Sequence, residues 1–208
     1  VIILTRKGFA IIISAPSGAG KTTLCRMLLE KDSSLQYSVS ATTRAPRSAE
    51  KNGEDYHFVS RETFQSMVER NDFAEWAEYQ GEYYGTPRPW LKKAFSRGDT
   101  VVMDMDVQGV KQIREGMGQD VVCVMIYPPS WETLRKRLSR RNTESEERLQ
   151  GRLNRALSEV QSYGLFDYLV LNEDLQIATD TLYSIVVAER HRRSRQEALF
   201  ARAMAGSI

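Results

Sequence analysis

The run Phe9-Ala-Ile-Ile-Ile-Ser14, followed directly by Ala15-Pro-Ser-Gly-Ala-Gly-Lys-Thr-Thr23, constrains this chain more than any other stretch. Six residues, mostly apolar and without polar alternation, predict a strand buried on both faces, and such strands belong to parallel sheets covered by helices. After the glycine turn, Leu24, Met27 and Leu28 recur at helical spacing, which predicts a helix over 21–31. A glycine loop between a buried strand and a helix is built to hold phosphate. Gly18 and Gly20 let backbone amides turn inward, and the helix N-terminus adds its dipole. Ala15, Pro16, Ser17, Gly18, Ala19, Gly20, Lys21, Thr22 and Thr23 are therefore expected to bind ATP. Lys21 would reach the β- and γ-phosphates, and the Thr22 hydroxyl would hold magnesium. Ala15 stands where the pattern G-x-x-x-x-G-K-[ST] has its first glycine; the later glycines, which form the tight part of the loop, are present.

The remaining pattern extends this start into an α/β fold. Residues 100–104, 121–127 and 168–171 read as further buried strands. Helical segments lie between or after them, including 131–140 and 175–195. The expected architecture is a P-loop NTPase fold, a mostly parallel central sheet flanked by helices. A chain of 208 residues suits a single domain. Its core is expected at 9–36, 91–128 and 158–208. Two stretches depart from the rhythm. Residues 37–90 are rich in Thr, Arg, Tyr, Gly and Glu and predict an inserted, partly antiparallel lobe. Residues 129–157 include a densely charged stretch and predict a helical lid.

Charge and composition exclude other classes. The 29 basic and 27 acidic residues leave a net charge of +2, which gives no general reason to expect nucleic acid or a membrane as partner. No apolar run approaches the roughly 20 residues of a membrane span, and the opening Val-Ile-Ile-Leu is too short for a signal peptide. Cys25 and Cys123 both sit in apolar segments and predict buried thiols in a reducing compartment, hence a cytoplasmic protein.

A phosphate loop specifies a nucleotide, not a reaction. The inserted lobe narrows the choice. Arg44 and Arg47, three residues apart, with Tyr56 and the Tyr83-Tyr84 pair, offer forked and hydroxyl donors to a second phosphate. That set suits an acceptor that is itself a phosphate ester. Glu75, between Ala74 and Trp76, offers one carboxylate to two adjacent donors, which guanine presents at N1–H and its 2-amino group. Adenine has an acceptor at N1 and lacks that amino group.

In order and spacing, several motifs resemble the guanylate kinase family, of the bacterial type. They are Ser14 to Thr23, Ser38 to Arg47, Asn52 to Phe58, Glu75 to Glu78, Tyr83 to Gly85, Asp104 to Gly109, Arg137, Thr143 to Glu147 and Leu171 to Asp174. The resemblance spans roughly residues 9–187. It implies ATP-dependent phosphorylation of GMP and dGMP by direct in-line transfer, within purine nucleotide metabolism, with Mg2+ as cofactor. It implies that the inserted lobe binds GMP: Arg44, Arg47, Tyr56 and Tyr84 on the phosphate, Ser40, Glu75 and Thr86 on the guanine edge. Asp104 and Asp106, expected as two unpaired carboxylates at a strand end, would serve the guanine amino group or magnesium-bound water. Gly109 would permit close backbone approach. Lys21, Arg44 and the lid's Arg137, Arg141 and Arg152 would act on the transferring group, and Asn172 would lie near adenine. The sequence departs from the family at Asn142 and Arg148.

Two rivals share the scaffold. A guanylate-kinase-like interaction module would lack Lys21, Thr22, Asp104 and the lid arginines, all present here. A related ribose bisphosphate phosphokinase would not need the guanine-reading set. His57 and His191 have no metal-ligand partner nearby and predict structural or surface roles. Glu189-Arg-His-Arg-Arg-Ser-Arg195 predicts a solvated basic helix face, with a homo-oligomer contact through the C-terminal helix or an RNA contact as the alternatives.

Overall fold

The structure, a computed structural model, describes residues 6–79, 81–139 and 146–205. Five parallel strands make the central sheet: β1 (Phe9–Ser14), β2 (Leu35–Tyr37), β7 (Thr100–Asp104), β8 (Val121–Tyr127) and β9 (Tyr168–Leu171), in the order β2-β7-β1-β8-β9. Four of them keep the bounds that their apolar runs predict. β2 has a polar residue at its centre, and the insertion was expected to begin at Tyr37. That residue instead pairs with Val102 inside the central sheet.

The period of two along β1 sorts its side chains into two cores. Phe9, Ile11 and Ile13 pack under α1 (Lys21–Lys31) and α7 (Leu175–Arg190). Ala10 and Ile12 pack on the other face, against α3 (Arg88–Ser96) and α4 (Val107–Met117). Cys25 and Cys123 are buried free thiols, one in each layer. Burial pushes them up to about 12 and about 11, which keeps them protonated and inert.

The insertion forms a second, mixed sheet of β4 (His57–Phe58), β3 (Ala41–Thr42), β6 (Glu82–Pro87) and β5 (Phe73–Tyr79), in that order. β6 runs antiparallel to β3 and β5, and β3 runs parallel to β4. Its small core is aromatic. Phe64 of α2 (Arg61–Glu69) stacks on Phe73 at 4.4 Å between ring centres and on Tyr83 at 5.4 Å. The charged segment becomes α5 (Trp131–Ser139) and α6 (Glu146–Gln161), which share Leu134, Leu138, Leu149 and Ala156.

Two expectations about the C-terminus are corrected. The helix predicted over 175–195 ends at Arg190, and α8 (Arg193–Ala205) begins after a break at His191 and Arg192. The basic run is solvated only in its middle, 191–194, and its two ends are buried. Glu189 and Arg195 are 2 % and 5 % exposed and pair at 2.5 Å. Glu189 also accepts from Tyr168 Oη at 2.7 Å and from Arg192, while Arg195 lies over the Phe9 ring at 4.3 Å. Charges that read as surface in sequence are buried because they neutralise one another.

Candidate active site

The site lies at the C-terminal ends of the central strands, where β1 is flanked by β7 and β8. Open parallel sheets place ligands at such a crevice. The loop after β1 turns through left-handed backbone at Gly18 (φ +87°) and Gly20 (φ +97°), and Gly20 opens α1. Both positions are also crowded. A Cβ on Gly18 would lie 2.8 Å from Leu138 of α5, and one on Gly20 would collide with the Asn172 amide. Glycine thus serves the turn and the close approach of its neighbours together.

Asn172 is 2 % exposed; its Nδ2 donates to Ala19 O at 2.7 Å. It holds the phosphate loop from beneath rather than offering an open surface to a base. The lid reaches the same loop. Arg152 Nη2 donates to Ser17 Oγ at 3.0 Å, and Arg137 Nη2 donates to Asn172 O at 3.1 Å. Arg141 lies outside the described residues. Glu159 of α6, which nothing in the sequence singles out, lies near the Ser17 amide, and burial raises its pKa.

Beside the loop, a cavity of about 310 Å³ opens between the two sheets. Ser40, Tyr56, Glu75, Tyr84, Thr86, Asp104 and Asp106 all contribute to its wall. These residues come from β5, β6, β7 and the loops beside them, so the structure gathers positions that the sequence scatters from Ser40 to Asp106. Glu75 and Thr86 are register partners across β5 and β6, and Thr86 Oγ1 donates to Glu75 Oε1 at 2.7 Å. Burial pushes the Glu75 carboxyl up, and nearby Asp106 adds to the rise.

The two aspartates are not an unpaired couple. Asp104 ends β7, and its Oδ2 lies 3.2 Å from Lys21 Nζ while Oδ1 accepts from Tyr37 Oη. Asp106 lies beyond the strand and caps α4, accepting from Gly109 N at 3.0 Å. Helix entry and charge pairing account for carboxylates that looked unsatisfied in sequence. Gly109 is drawn off the cavity wall. The space its missing side chain leaves is filled by Met105, 3.0 Å from where a Cβ would stand.

Arg44 stands at the cavity's outer side, 5.4 Å above the Tyr56 ring and 5.8 Å above the Phe58 ring. Glu50 holds it, a residue that sequence reasoning passed over although it lies three positions after Arg47. The Arg47 side chain is exposed, and its backbone amide also bonds to Glu50. Tyr37, likewise missed, joins the cavity wall to the lysine of the phosphate loop through Asp104.

A glycine loop with its lysine, a second polar cavity beside it and a helical lid touching the loop define a P-loop kinase acting on a small phosphorylated acceptor. The guanylate kinase family profile matches residues 7–189. A guanylate kinase of Aromatoleum aromaticum is 47 % identical over 189 residues, covering 91 % of this chain and 92 % of its own length. One of Agrobacterium fabrum is 42 % identical over 199 residues, covering 96 % and 90 %. The crystal structure of guanylate kinase from Anaplasma phagocytophilum is 33 % identical with a TM-score of 0.71, covering 96 % of this chain and 97 % of that one. The chain belongs to the guanylate kinase family.

Proposed function

We propose that the 310 Å³ cavity is the GMP site of an enzyme that transfers a phosphoryl group from ATP to GMP. The observation that carries this is the joint placement of Glu75, Thr86 and Asp106 in one wall, with Tyr56 and Tyr84 in the same cavity. The ionised Glu75 accepts from guanine N1–H and the 2-amino group, and Asp106 has one oxygen left after capping α4. Tyr56, Tyr84 and Arg44 hold the acceptor phosphate, with Arg47 closing over it from the loop. The insertion serves as the GMP lobe and α5–α6 as the lid of a single domain. dGMP fits the same role, since none of these contacts calls on the 2′-hydroxyl.

Transfer needs no covalent nucleophile, because the GMP phosphate oxygen is already anionic. Catalysis rests on alignment and charge. Lys21 leaves Asp104 for the donor phosphates, while Arg137, Arg141 and Arg152 bring positive charge from the lid. Lid contact with the loop excludes water that would otherwise hydrolyse ATP. Thr22 stands in the first turn of α1 and Asp104 lies beside Lys21, a hydroxyl and a carboxylate of the hard-oxygen kind that magnesium takes besides phosphate and water. They would hold the ion, which supplies charge neutralisation on the phosphates when bound. Among the described residues no helix is long and apolar enough to cross a membrane; a cytoplasmic place accords with the substrates.

Coupled turnover with GMP, dGMP, AMP and ribose bisphosphate as acceptors tests this function. GMP and dGMP are expected to turn over, and AMP only weakly. Preference for ribose bisphosphate would overturn the assignment.

A further inference from the structure

The segment 44–50 is tied at both ends by one carboxylate. Glu50 Oε1 accepts from Arg44 Nη2 at 2.8 Å, and Glu50 Oε2 accepts from Arg47 N at 2.7 Å. The Glu50 amide returns to Arg47 O at 3.0 Å, closing the turn. Arg44 Nη1 is taken by Ala45 O at 2.7 Å. Both side chains of the ion pair are mostly shielded, at 19 % and 17 % exposure, although the turn around them is open to solvent.

This arrangement fixes the guanidinium as well as offsetting its charge. A guanidinium has five N–H donors in a rigid plane. Glu50 and Ala45 engage two of them, and the Tyr56 and Phe58 rings hold the plane. Tyr84 lies against the same guanidinium, and the donors left over serve another acceptor beside Tyr56 and Tyr84. An unrestrained arginine would have to give up rotamer freedom on binding. Holding it beforehand moves that cost into folding.

We infer that Glu50 is a positioning residue for the acceptor phosphate: it presets Arg44 and the Arg47 backbone so that the phosphate clamp exists before GMP arrives. This rests on the cavity being the GMP site. Glu50 itself touches no part of the cavity wall, so its effect on substrate passes through Arg44 and the turn. The chemistry it serves is a phosphate monoester dianion; the guanine half of the site is out of its reach.

That separation supplies the test. Glu50→Gln is nearly isosteric, but its amide accepts with only one atom and cannot bond both Arg44 and Arg47 N. Glu50→Ala removes both bonds. Calorimetric titration of GMP and guanosine, together with KM and kcat for GMP and KM for ATP, would be measured on parent, Glu50→Gln, Glu50→Ala and Glu50→Asp. Loss of one charge-assisted bond in Glu50→Gln and of two in Glu50→Ala predicts GMP affinity weaker by roughly tenfold or more, with the larger loss in the Ala variant. Guanosine affinity and KM for ATP should stay within about twofold, and Glu50→Asp should recover part of the loss. Unchanged or tighter GMP binding would overturn the inference, and tighter binding would recast Glu50 as a competitor for Arg44. Equal losses for GMP and guanosine would overturn it too, since a merely structural residue would give that result. If Glu50→Ala does not fold, Glu50→Gln decides alone. A parent enzyme that failed to bind GMP would instead strike at the site assignment, so the two failures are separable.

Discussion

Glu75→Gln separates base recognition from fold stability, because the structure predicts that the two respond in opposite directions. The carboxylate accepts from Thr86 Oγ1 at 2.7 Å and has its other oxygen available in the cavity wall. The amide can still accept from Thr86 through its carbonyl, but then presents NH₂ to a guanine donor. Mismatching a buried polar contact costs about 1–3 kcal/mol, and more where charge is involved. At about 1.4 kcal/mol per decade, kcat/KM for GMP should fall roughly ten- to hundredfold. AMP, which a carboxylate rejects, should lose far less, so the GMP-to-AMP ratio narrows. Stability should move the other way. Burial raises the folded-state pKa of Glu75 above its unfolded value, so the folded protein binds more protons between the two. Its contribution is therefore fully present below the unfolded pKa, near 4.3, and is lost as pH rises through the raised one. At neutral pH the ionised Glu75 weakens the empty fold, and the amide should raise Tm there, with the gain vanishing in acid. Acceptor kinetics under fixed ATP and magnesium, with thermal melts across pH, measure both. An unchanged GMP-to-AMP ratio would refute base reading by Glu75. A Tm lowered at neutral pH would refute the burial argument.

Three further outcomes follow from named contacts. Lys21→Ala should abolish most phosphoryl transfer while GMP affinity by calorimetry stays within a few-fold, because Asp104 retains the Tyr37 hydroxyl; near-parent turnover would remove Lys21 from the donor site. Arg137→Ala should lower kcat more than it weakens GMP binding, since its present partner is Asn172 O and its catalytic contact forms only as charge moves; steady-state kinetics with normal kcat would leave it a structural arginine. Glu189→Ala leaves Arg195 buried and unpaired and should cost about 3 kcal/mol or more in denaturant unfolding. A loss within 0.5 kcal/mol, the roughly neutral range of surface substitutions, would show that solvent reaches the pair.

Local pattern was sufficient where burial is two-sided. β1, β7 and β8 are continuous apolar runs buried on both faces; β9 keeps its predicted bounds but closes the edge of the sheet, where Leu169 and Leu171 are exposed and only Val170 is buried, so the expectation of a buried strand there is corrected. It was insufficient where polar groups are satisfied by distant partners. β2 is three residues with Gln36 at its centre, and only the neighbouring β7 makes it a strand. The break between α7 and α8 falls inside a run of charges, of which buried Glu189 accepts from Tyr168, a strand residue 21 positions away. The phosphate loop was legible because its chemistry is local. The acceptor wall was legible chiefly through family likeness, because the Glu75–Thr86 bond arises from register and Arg44–Glu50 from a turn. The same turn hid Glu50, an acid in an otherwise exposed polar stretch.

The two ends of the central sheet bear opposite electrostatic loads. At the C-terminal edge, Glu75 is a carboxylate held above its ordinary pKa, Gly18 and Gly20 occupy left-handed backbone, and Lys21 is paired with Asp104. On the proposed function, Lys21 would exchange Asp104 for the donor phosphates and Glu75 would meet the guanine donors. At the other edge, burial pushes Glu189 up, but hydrogen bonds from Arg192 and Tyr168 and the charge of Arg195 outweigh it and hold the carboxyl below its usual range. That group stabilises the fold above its unfolded pKa, and the contribution is lost as pH falls through the depressed value. The network ties α7 and the start of α8 to β9 and to the residue that opens β1. It thus secures the base of the strand whose other end carries the phosphate loop, where binding requires groups that the fold alone leaves poorly matched.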